Sequence, residues 1–207
     1  MRLGVYGGSF DPVHWGHLLL AETARAEMKL DRVEFVPLGV PPHMKTVRTS
    51  SEDRFAMLER ALAPYPEFGI NRCEIDSPEI SYTYKTLQYF RETRPGDELF
   101  LILSSETFND LPNWVEPGLI CERASLIVAQ RAGCPEANFE GARGFASEER
   151  LDEFRSQVVS MPQIEISSSV VRERIATGRS VRFLVPDAVL DYIEARGLYR
   201  QRKESAR

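Results

Sequence analysis

Short apolar runs alternate along the chain with segments that place apolar residues at helical spacing. The apolar runs predict buried strands at residues 3–6, 32–37, 68–75, 98–103, 124–129 and 163–166. The helical segments fall within residues 18–25, 51–62, 83–90, 151–158, 167–178 and 186–197. Because strands that alternate with helices form βαβ units, the pattern predicts an α/β fold with a parallel sheet.

Size and charge narrow the class of protein. The chain has 207 residues, of which 43% are hydrophobic and 28% are charged, as expected for one globular domain. We place this domain at residues 1–199 and a charged C-terminal tail at residues 200–207. The net charge of -5 argues against a nucleic-acid partner, so an anionic substrate needs a local cluster of positive groups.

The cysteines favour a reducing compartment and give no sign of a metal site. Cys73, Cys121 and Cys134 have no Cys-x-x-Cys spacing and no nearby histidine that would suggest zinc. The odd number of cysteines and the lack of a signal peptide predict a cytoplasmic protein. No apolar run is long enough to span a bilayer, so we expect no membrane contact.

The first predicted strand leads into residues 7–17, Gly-Gly-Ser-Phe-Asp-Pro-Val-His-Trp-Gly-His, which we call the glycine-rich turn. Gly7 and Gly8 let the backbone lie close to a ligand, and a helix follows whose first N–H groups attract phosphate. His14 and His17, the histidine pair, are three residues apart, so both are expected to face one ligand. A lone histidine here is usually structural, but two in this setting favour a polyphosphate site.

Other candidates follow from where strands and loops end. Glu106 comes after the strand at 98–103 and Arg131 after the strand at 124–129, at the sheet edge where α/β proteins bind ligands. A carboxylate there suits a ribose hydroxyl pair, and a guanidinium suits an anion. Trp114 follows in a short loop and can stack on a flat ring, with core packing as the alternative. A proline-stiffened loop carries His43 and Lys45.

The glycine-rich turn resembles the GxFDPxHxGH signature of the nucleotidyltransferase superfamily. Within it, the chain most resembles the bacterial nicotinate-mononucleotide adenylyltransferase branch. That match rests on Pro-Pro-His-Met-Lys at 41–45, Ser-Tyr-Thr at 81–83, Leu-Pro-Asn-Trp at 111–114 and Ile-Ser-Ser-Ser-Val-Val-Arg at 166–172. The resemblance covers nearly the whole chain. It implies a single-domain Rossmann-like sheet with helices on both faces, ATP bound with Mg²⁺, and a pyridine mononucleotide as acceptor.

The resemblance and the residues together define the candidate site. The residues assigned to catalysis are His14, His17, Lys45 and Arg172. Those assigned to ATP are Gly7, Gly8, Ser9, Phe10, His14, Gly16, His17, Glu106, Ile166, Ser168, Ser169 and Arg172. Those assigned to the pyridine nucleotide are Ser9, Phe10, His43, Lys45, Tyr82, Thr83, Trp114 and Arg131. No residue is assigned to a metal, and Thr83 is expected to cap its helix.

Several positions depart from the branch pattern. Met44 separates His43 from the lysine, Lys85 stands where the branch usually has Asp, and residues 104–106 are Ser-Ser-Glu instead of Gly-x-Asp. Glu106 therefore carries its carboxylate on a side chain one methylene longer than that of Asp. Ser104 has a side chain where the glycine of the branch would let the backbone lie close to a ligand. Arg54, on the predicted second helix, is expected at the solvated surface.

The implied reaction is transfer of the adenylyl group of ATP to nicotinate mononucleotide, which yields deamido-NAD and pyrophosphate in NAD biosynthesis. Two alternatives remain open: nicotinamide mononucleotide as the acceptor, and a non-catalytic nucleotide sensor on the same fold. A tRNA-charging enzyme is disfavoured by the short, acidic chain, and a phosphopantetheine or cytidine-nucleotide branch by the segments at 41–45, 81–83 and 111–114. A homo-oligomer is compatible with the sequence.

Overall fold

The protein is represented by a computed structural model that describes residues 1–42, 47–131 and 133–200. Its strands are β1 (Arg2–Gly8), β2 (Arg32–Pro37), β3 (Phe68–Ile70), β4 (Glu98–Ser104), β5 (Ser125–Arg131) and β6 (Val158–Met161). They form one sheet in the order β3-β2-β1-β4-β5-β6, and every neighbouring pair is parallel. The predicted α/β class with a parallel sheet is confirmed.

Helices cover both faces of this sheet, as predicted. They are α1 (Trp15–Glu27), α2 (Ser51–Leu62), α3 (Thr83–Thr93), α4 (Ser105–Asn109), α5 (Pro117–Arg123), α6 (Glu148–Ser156), α7 (Ser168–Ala176) and α8 (Asp187–Arg196). Short 3-10 helices lie at Leu111–Asn113 and Phe139–Ala142. Within the described residues, no helix combines the length and the apolar character that crossing a membrane requires.

The two faces carry separate hydrophobic cores because side chains alternate along each strand. On β4, Phe100 and Ile102 face the core under α1, α2, α7 and α8, whereas Leu99 and Leu101 face the core under α3 to α6. Each fully buried side chain of this size stabilises the fold by about 1.5–3 kcal/mol relative to exposure. Burial on both faces explains why the strands appear in the sequence as continuous apolar runs.

Two predicted strands were placed wrongly. The strand predicted at 68–75 ends at Ile70, because the Asn71 side chain accepts a hydrogen bond from the N–H of Cys73 and closes a turn. The last strand is β6, not residues 163–166, and Val158 belongs to it instead of to the preceding helix. Pro162 follows β6 directly, and a proline has no N–H with which to continue a strand ladder.

Several local predictions also need correction. Tyr82, not Thr83, is the N-cap of α3, and Thr83 is its first helical residue. The sequence did not predict α4 and α5, which are only five and seven residues long. The segment at 134–144, whose residues show no periodic pattern in the sequence, contains the second 3-10 helix, where the Phe139 ring centroid lies 4.9 Å from that of Phe108. The predicted tail, apart from Arg200, lies outside the described residues.

The order in which successive strands are added to the sheet reverses between β1 and β4, although all strands stay parallel. From β1 the chain moves outward through β2 to β3, and then returns to β4 on the other side of β1. In open parallel sheets this reversal leaves a crevice beyond the carboxyl ends of the two central strands, where ligands bind. The glycine-rich turn follows β1 directly, so the fold places it at this crevice.

Candidate active site

A cavity of about 950 Å³ opens beyond the carboxyl ends of β1 and β4. This volume lies at the upper end of the usual range for ligand sites. Of the residues assigned from the sequence, it is lined by Gly7, Gly8, Ser9, His14, Gly16, His17, Tyr82, Thr83, Glu106, Trp114, Arg131, Ile166 and Ser168. These residues come from five distant segments of the chain, so the fold brings the assigned nucleotide sites together in one cavity.

Three assigned residues do not line this cavity. Phe10 is fully buried and packs edge-on against Tyr6, so it is a core residue with an unusual positive φ of 47°. Ser169 is exposed at the start of α7. Arg172 donates to the carbonyl oxygen of Asp11 at 2.7 Å and to Ser169 Oγ at 3.1 Å, so its guanidinium holds the glycine-rich turn. His43 and Lys45 lie outside the described residues.

The histidine pair lies where the glycine-rich turn meets α1. The three-residue spacing suggests that both histidines lie in the first turn of the helix, but His14 is the extended N-cap of α1 and His17 is the third helical residue. The two rings stack with their centroids 3.7 Å apart. The His14 N–H donates to His17 Nδ1 at 3.2 Å, so neutral His17 carries its proton on Nε2. Gly16 leaves room for His14, because a Cβ there would lie 3.0 Å from Nδ1.

Both rings are held in the neutral form. Burial, followed by the positive charge of Arg131, lowers the pKa of His14 to about 4. Burial, then His14 and then Arg131 lower the pKa of His17 well below its ordinary value. Within the described residues, His14 Nδ1 is buried and has no hydrogen-bond partner. The histidine pair therefore offers neutral N–H donors to a ligand, and a bound polyphosphate would favour its protonation.

We expect the free energy of unfolding to fall in acid because of His14. The unfolded chain binds a proton near pH 6.5, whereas folded His14 stays neutral down to about pH 4, so lowering the pH favours unfolding. Between pH 8 and pH 5 the loss from His14 is about 2 kcal/mol. Urea unfolding at both pH values measures it. In His14→Gln the decrease should shrink by that amount, and equal decreases in the two proteins would contradict the expectation.

Glu106 and Arg131 form an ion pair in the cavity wall. Arg131 donates to Glu106 Oε1 at 2.6 Å. Burial alone would raise the pKa of the Glu106 carboxyl, but hydrogen bonds from Cys134 and Arg131 outweigh it and lower the pKa. Glu106 Oε2 and Arg131 Nε are buried atoms without a partner among the described residues. The ion pair can therefore offer one acceptor and one donor to a ligand.

Part of the cavity wall is aromatic. Tyr82 and Thr83 begin α3, and Trp114 follows the first 3-10 helix with its Nε1–H donating to Asp110 Oδ2 at 3.1 Å. A half-buried indole at a cavity wall can stack on a flat ring. Lys85 does not line the cavity. Its ammonium pairs with Glu79 at the surface, so this departure from the branch leaves the cavity lining unchanged.

The structure adds residues that were not selected from the sequence. Ser81 Oγ is buried in the cavity wall without a partner among the described residues. It directly precedes Tyr82 and Thr83, which were assigned from the sequence. Arg54, expected at the surface, is 1% exposed. A signal for it existed, since Arg54, Leu58 and Ala61 follow the helical spacing of a buried face.

Asp11 is a second buried residue that ties the glycine-rich turn to distant segments. It is 2% exposed. Its carboxylate accepts hydrogen bonds from the Arg48 N–H, from Thr49 Oγ1 and from the Tyr199 hydroxyl. The residue belongs to the signature of the turn, but the sequence did not indicate which groups it binds. The C-terminal helix region thus helps to fix the turn through Tyr199.

The described residues contain no group of three or more His, Cys, Asp or Glu side chains that could hold a metal ion. A metal carried by a triphosphate needs fewer protein ligands, because Mg²⁺ keeps several waters and uses phosphate oxygens. The free Oε2 of Glu106 is one carboxylate oxygen that could reach such an ion or its waters. The carboxylate present fits a metal that arrives with the substrate phosphates.

Comparison with known proteins gives two kinds of match. Residues 5–174 match the family model described as cytidylyltransferase-like. A relative from Thermus thermophilus, a "probable nicotinate-nucleotide adenylyltransferase", is 42% identical over 202 residues, which cover 97% of this chain and 100% of the relative. A relative of the same description from Rubrobacter xylanophilus is 37% identical over 203 residues, covering 97% of this chain and 92% of its own.

The fold is shared with solved structures of lower identity. A Plasmodium falciparum nicotinic acid mononucleotide adenylyltransferase complexed with NaAD superposes with a TM-score of 0.74 at 19% identity, covering 96% of this chain and 97% of its own. The same enzyme complexed with APC gives a TM-score of 0.71 at 19% identity, with 96% of each chain covered.

Proposed function

The chain belongs to the cytidylyltransferase-like family, among the nicotinate-nucleotide adenylyltransferases, and we propose that it transfers the adenylyl group of ATP to nicotinate mononucleotide. The products are deamido-NAD and pyrophosphate, in NAD biosynthesis. The observation that carries the proposal is the stacked, neutral histidine pair at the start of α1, which lines the same cavity as Tyr82 and Trp114. Such a cavity suits a triphosphate beside a pyridine ring.

The reaction needs positioning and charge stabilisation from the protein. A phosphate oxygen of the acceptor attacks the α-phosphorus of ATP, a new P–O bond forms, and the bond to the leaving pyrophosphate breaks. No side chain has to bond covalently. We assign the Nε2–H of His17 and the ring of His14 to the phosphates, where preorganised donors stabilise the charge that develops in the transition state. Ser168 Oγ donates to the Pro12 carbonyl and supports the turn.

The remaining assignments divide the cavity between the two substrates. Glu106 is proposed to accept from a ribose, and Tyr82, Thr83 and Trp114 to hold the pyridine nucleotide. Arg172 acts through its hydrogen bond to Asp11, which keeps the glycine-rich turn in place. The roles of His43, Lys45 and Ser169 stay predictions, as does a homo-oligomer.

Nucleotidyltransferases of this kind generally use a divalent metal with ATP, and we propose Mg²⁺. When bound it would neutralise part of the triphosphate charge and polarise the reacting phosphate. Glu106, whose Oε2 has no partner among the described residues, is one residue that would hold it or its waters. His17 would bind a phosphate oxygen rather than the ion, because its Nδ1 is already occupied by the His14 N–H and its Nε2 carries the proton.

Pyrophosphate release tests the proposed function. The protein is incubated with ATP, Mg²⁺ and nicotinate mononucleotide, nicotinamide mononucleotide, or both in competition. We expect steady release that depends on the acceptor and is faster with nicotinate mononucleotide. Preference for the amide would assign the other acceptor. ATP binding without release, whichever mononucleotide is present, would identify a nucleotide sensor and reject the transferase.

Trp114→Ala is expected to weaken binding of the acceptor. The loss of an aromatic stacking partner costs about 1–3 kcal/mol by analogy with base stacking, which corresponds to a rise of about 5- to 160-fold in the KM for nicotinate mononucleotide. The KM for ATP should stay the same. Trp114→Phe keeps a ring but loses the hydrogen bond to Asp110, so it should retain most of the affinity. An unchanged acceptor KM in Trp114→Ala would exclude the stacking role.

A further inference from the structure

Arg54 is the largest fully buried side chain of the protein among the described residues. It lies in the first turns of α2, behind the cavity and not in its lining. Its guanidinium donates to two backbone carbonyl oxygens, that of Ser9 at 3.0 Å and that of Leu38 at 2.5 Å. Ser9 and Leu38 both line the cavity. Arg54 thus lies outside the cavity lining but contacts the backbone of two segments that belong to it.

The two carbonyls lie where β1 and β2 separate. The strands pair in register up to Gly8 and Pro37, and the Leu38 N–H still donates to the Gly8 carbonyl at 2.9 Å. Beyond this point the chain after β1 turns toward α1 and the chain after β2 leaves the sheet, so neither the Ser9 nor the Leu38 carbonyl has a strand partner among the described residues. The planar fork of an arginine carries several N–H donors in fixed directions and can satisfy both. A lysine ammonium lacks this geometry.

This arrangement is costly, which argues against simple core packing. The described residues form no ion pair with Arg54, and its Nε is buried without a partner. Removing a cation from water costs several kcal/mol, and apolar side chains of similar volume are often as stable in such places. Asp11, 2% exposed in the same turn, is the first of the negative charges that act on Arg54. The positive charge of Arg54 therefore lies behind the glycine-rich turn that carries Asp11.

The contact with Ser9 also orients the turn. The peptide bond that joins Ser9 to Phe10 is planar and trans, so its carbonyl and its N–H point in opposite directions. With the carbonyl directed at Arg54, the Phe10 N–H points away from the buried guanidinium. Phe10 has a positive φ of 47°, which a non-glycine residue adopts only when its surroundings hold it. Arg54 on one side and the buried Phe10 ring on the other supply that constraint.

We propose that Arg54 is a positioning residue for adenylyl transfer: it holds the Ser9 and Leu38 carbonyls together and so fixes the turn that binds the triphosphate. This inference rests on the proposed function. A displacement of about 1 Å in a positioning element can cost about a hundredfold in rate. Loss of Arg54 should therefore appear in ATP binding and turnover, and not only in stability.

The test compares Arg54→Met, Arg54→Lys and the matched control Arg60→Met. Arg60 is on the same helix and exposed, and among the described residues it donates to the Ala56 carbonyl and lies over the Tyr192 ring, so its variant carries the same change of charge and volume outside the cavity. We expect kcat/KM to fall about 10- to 100-fold in Arg54→Met, with a raised KM for ATP. Arg54→Lys should be intermediate, and Arg60→Met should match the wild type.

Steady-state kinetics and calorimetric titration with ATP distinguish a positioning role of Arg54 from a role in folding alone. A purely structural role would lower kcat in proportion to the folded fraction and leave the KM for ATP unchanged, and that result overturns the proposal. If Arg54→Met does not fold, Arg54→Lys decides, and wild-type KM and kcat in it also overturn the proposal. Calorimetric titration measures the affinity for ATP and does not require turnover. If the wild type proves inactive, the proposed function fails, while weaker ATP binding in folded Arg54 variants still supports the positioning role.

Discussion

His17→Ala is expected to lower kcat by two to three orders of magnitude and to leave the fold intact. The loss corresponds to removal of one preorganised donor from a developing oxyanion, about 3–4 kcal/mol of barrier. His17 fits this role because its Nδ1 is occupied by the His14 N–H, which directs the Nε2–H outward. The lowered pKa keeps the ring neutral, so it acts as a hydrogen-bond donor before the substrate binds. Steady-state pyrophosphate release gives kcat, and circular dichroism checks the fold.

Two amide substitutions at the same position separate the two nitrogens. Asn can accept the His14 N–H in place of Nδ1 but cannot reach the position of Nε2, whereas Gln extends an N–H donor toward that position. We expect His17→Asn to be as inactive as His17→Ala, although its helix start is preserved. We expect His17→Gln to retain more activity than either. Unchanged kcat in His17→Ala, or a His17→Asn variant as active as the wild type, would remove the histidine pair from the mechanism.

Gly39→Ala is expected to destabilise the protein by more than about 3 kcal/mol. A Cβ at position 39 would lie 1.9 Å from the carbonyl oxygen of Glu74 and 2.5 Å from its carbonyl carbon. Both atoms belong to the backbone, so no change of rotamer relieves the overlap and one of the two segments must move. For a chain of this length, such a loss lowers Tm by roughly 6–12 °C. Thermal unfolding measures the shift.

The same clash should reach the cavity. The side chain of Glu74 accepts a hydrogen bond from Thr86 Oγ1 at 2.6 Å, and both residues line the cavity next to Tyr82. Displacing Glu74 should therefore raise the KM for the acceptor in the fraction that stays folded. Gly96→Ala is the matched control, because a Cβ there meets nothing within 4 Å, and its Tm should stay within about 1–2 °C of the wild type. Equal Tm values for the two variants would contradict the prediction, because they would mean that the backbone around residues 39 and 74 can move apart without loss of stability.

Most of the fold was predictable because its signals are local. The strands at 32–37 and 98–103 are mostly apolar and are buried on both faces, and the helices between them carry apolar residues at helical spacing, so their type and order followed directly. Errors arose at the edge of the sheet. The residues of β6 show the pattern of a half-buried strand, and the apolar alternation at 163–166 looks similar in sequence. Only pairing with β5 distinguishes the two segments.

The candidate site shows the same division. By itself the sequence determined that a glycine-rich turn with two histidines follows the first strand, because the residues that shape such a turn are neighbours in the chain. Tertiary structure decided which side chains of that region face the cavity. It placed Phe10 in the core and turned Arg172 toward Asp11. It also buried Arg54, because two carbonyls from separate strands meet at that point. Such choices depend on groups far apart in the chain, and local patterns carry no record of them.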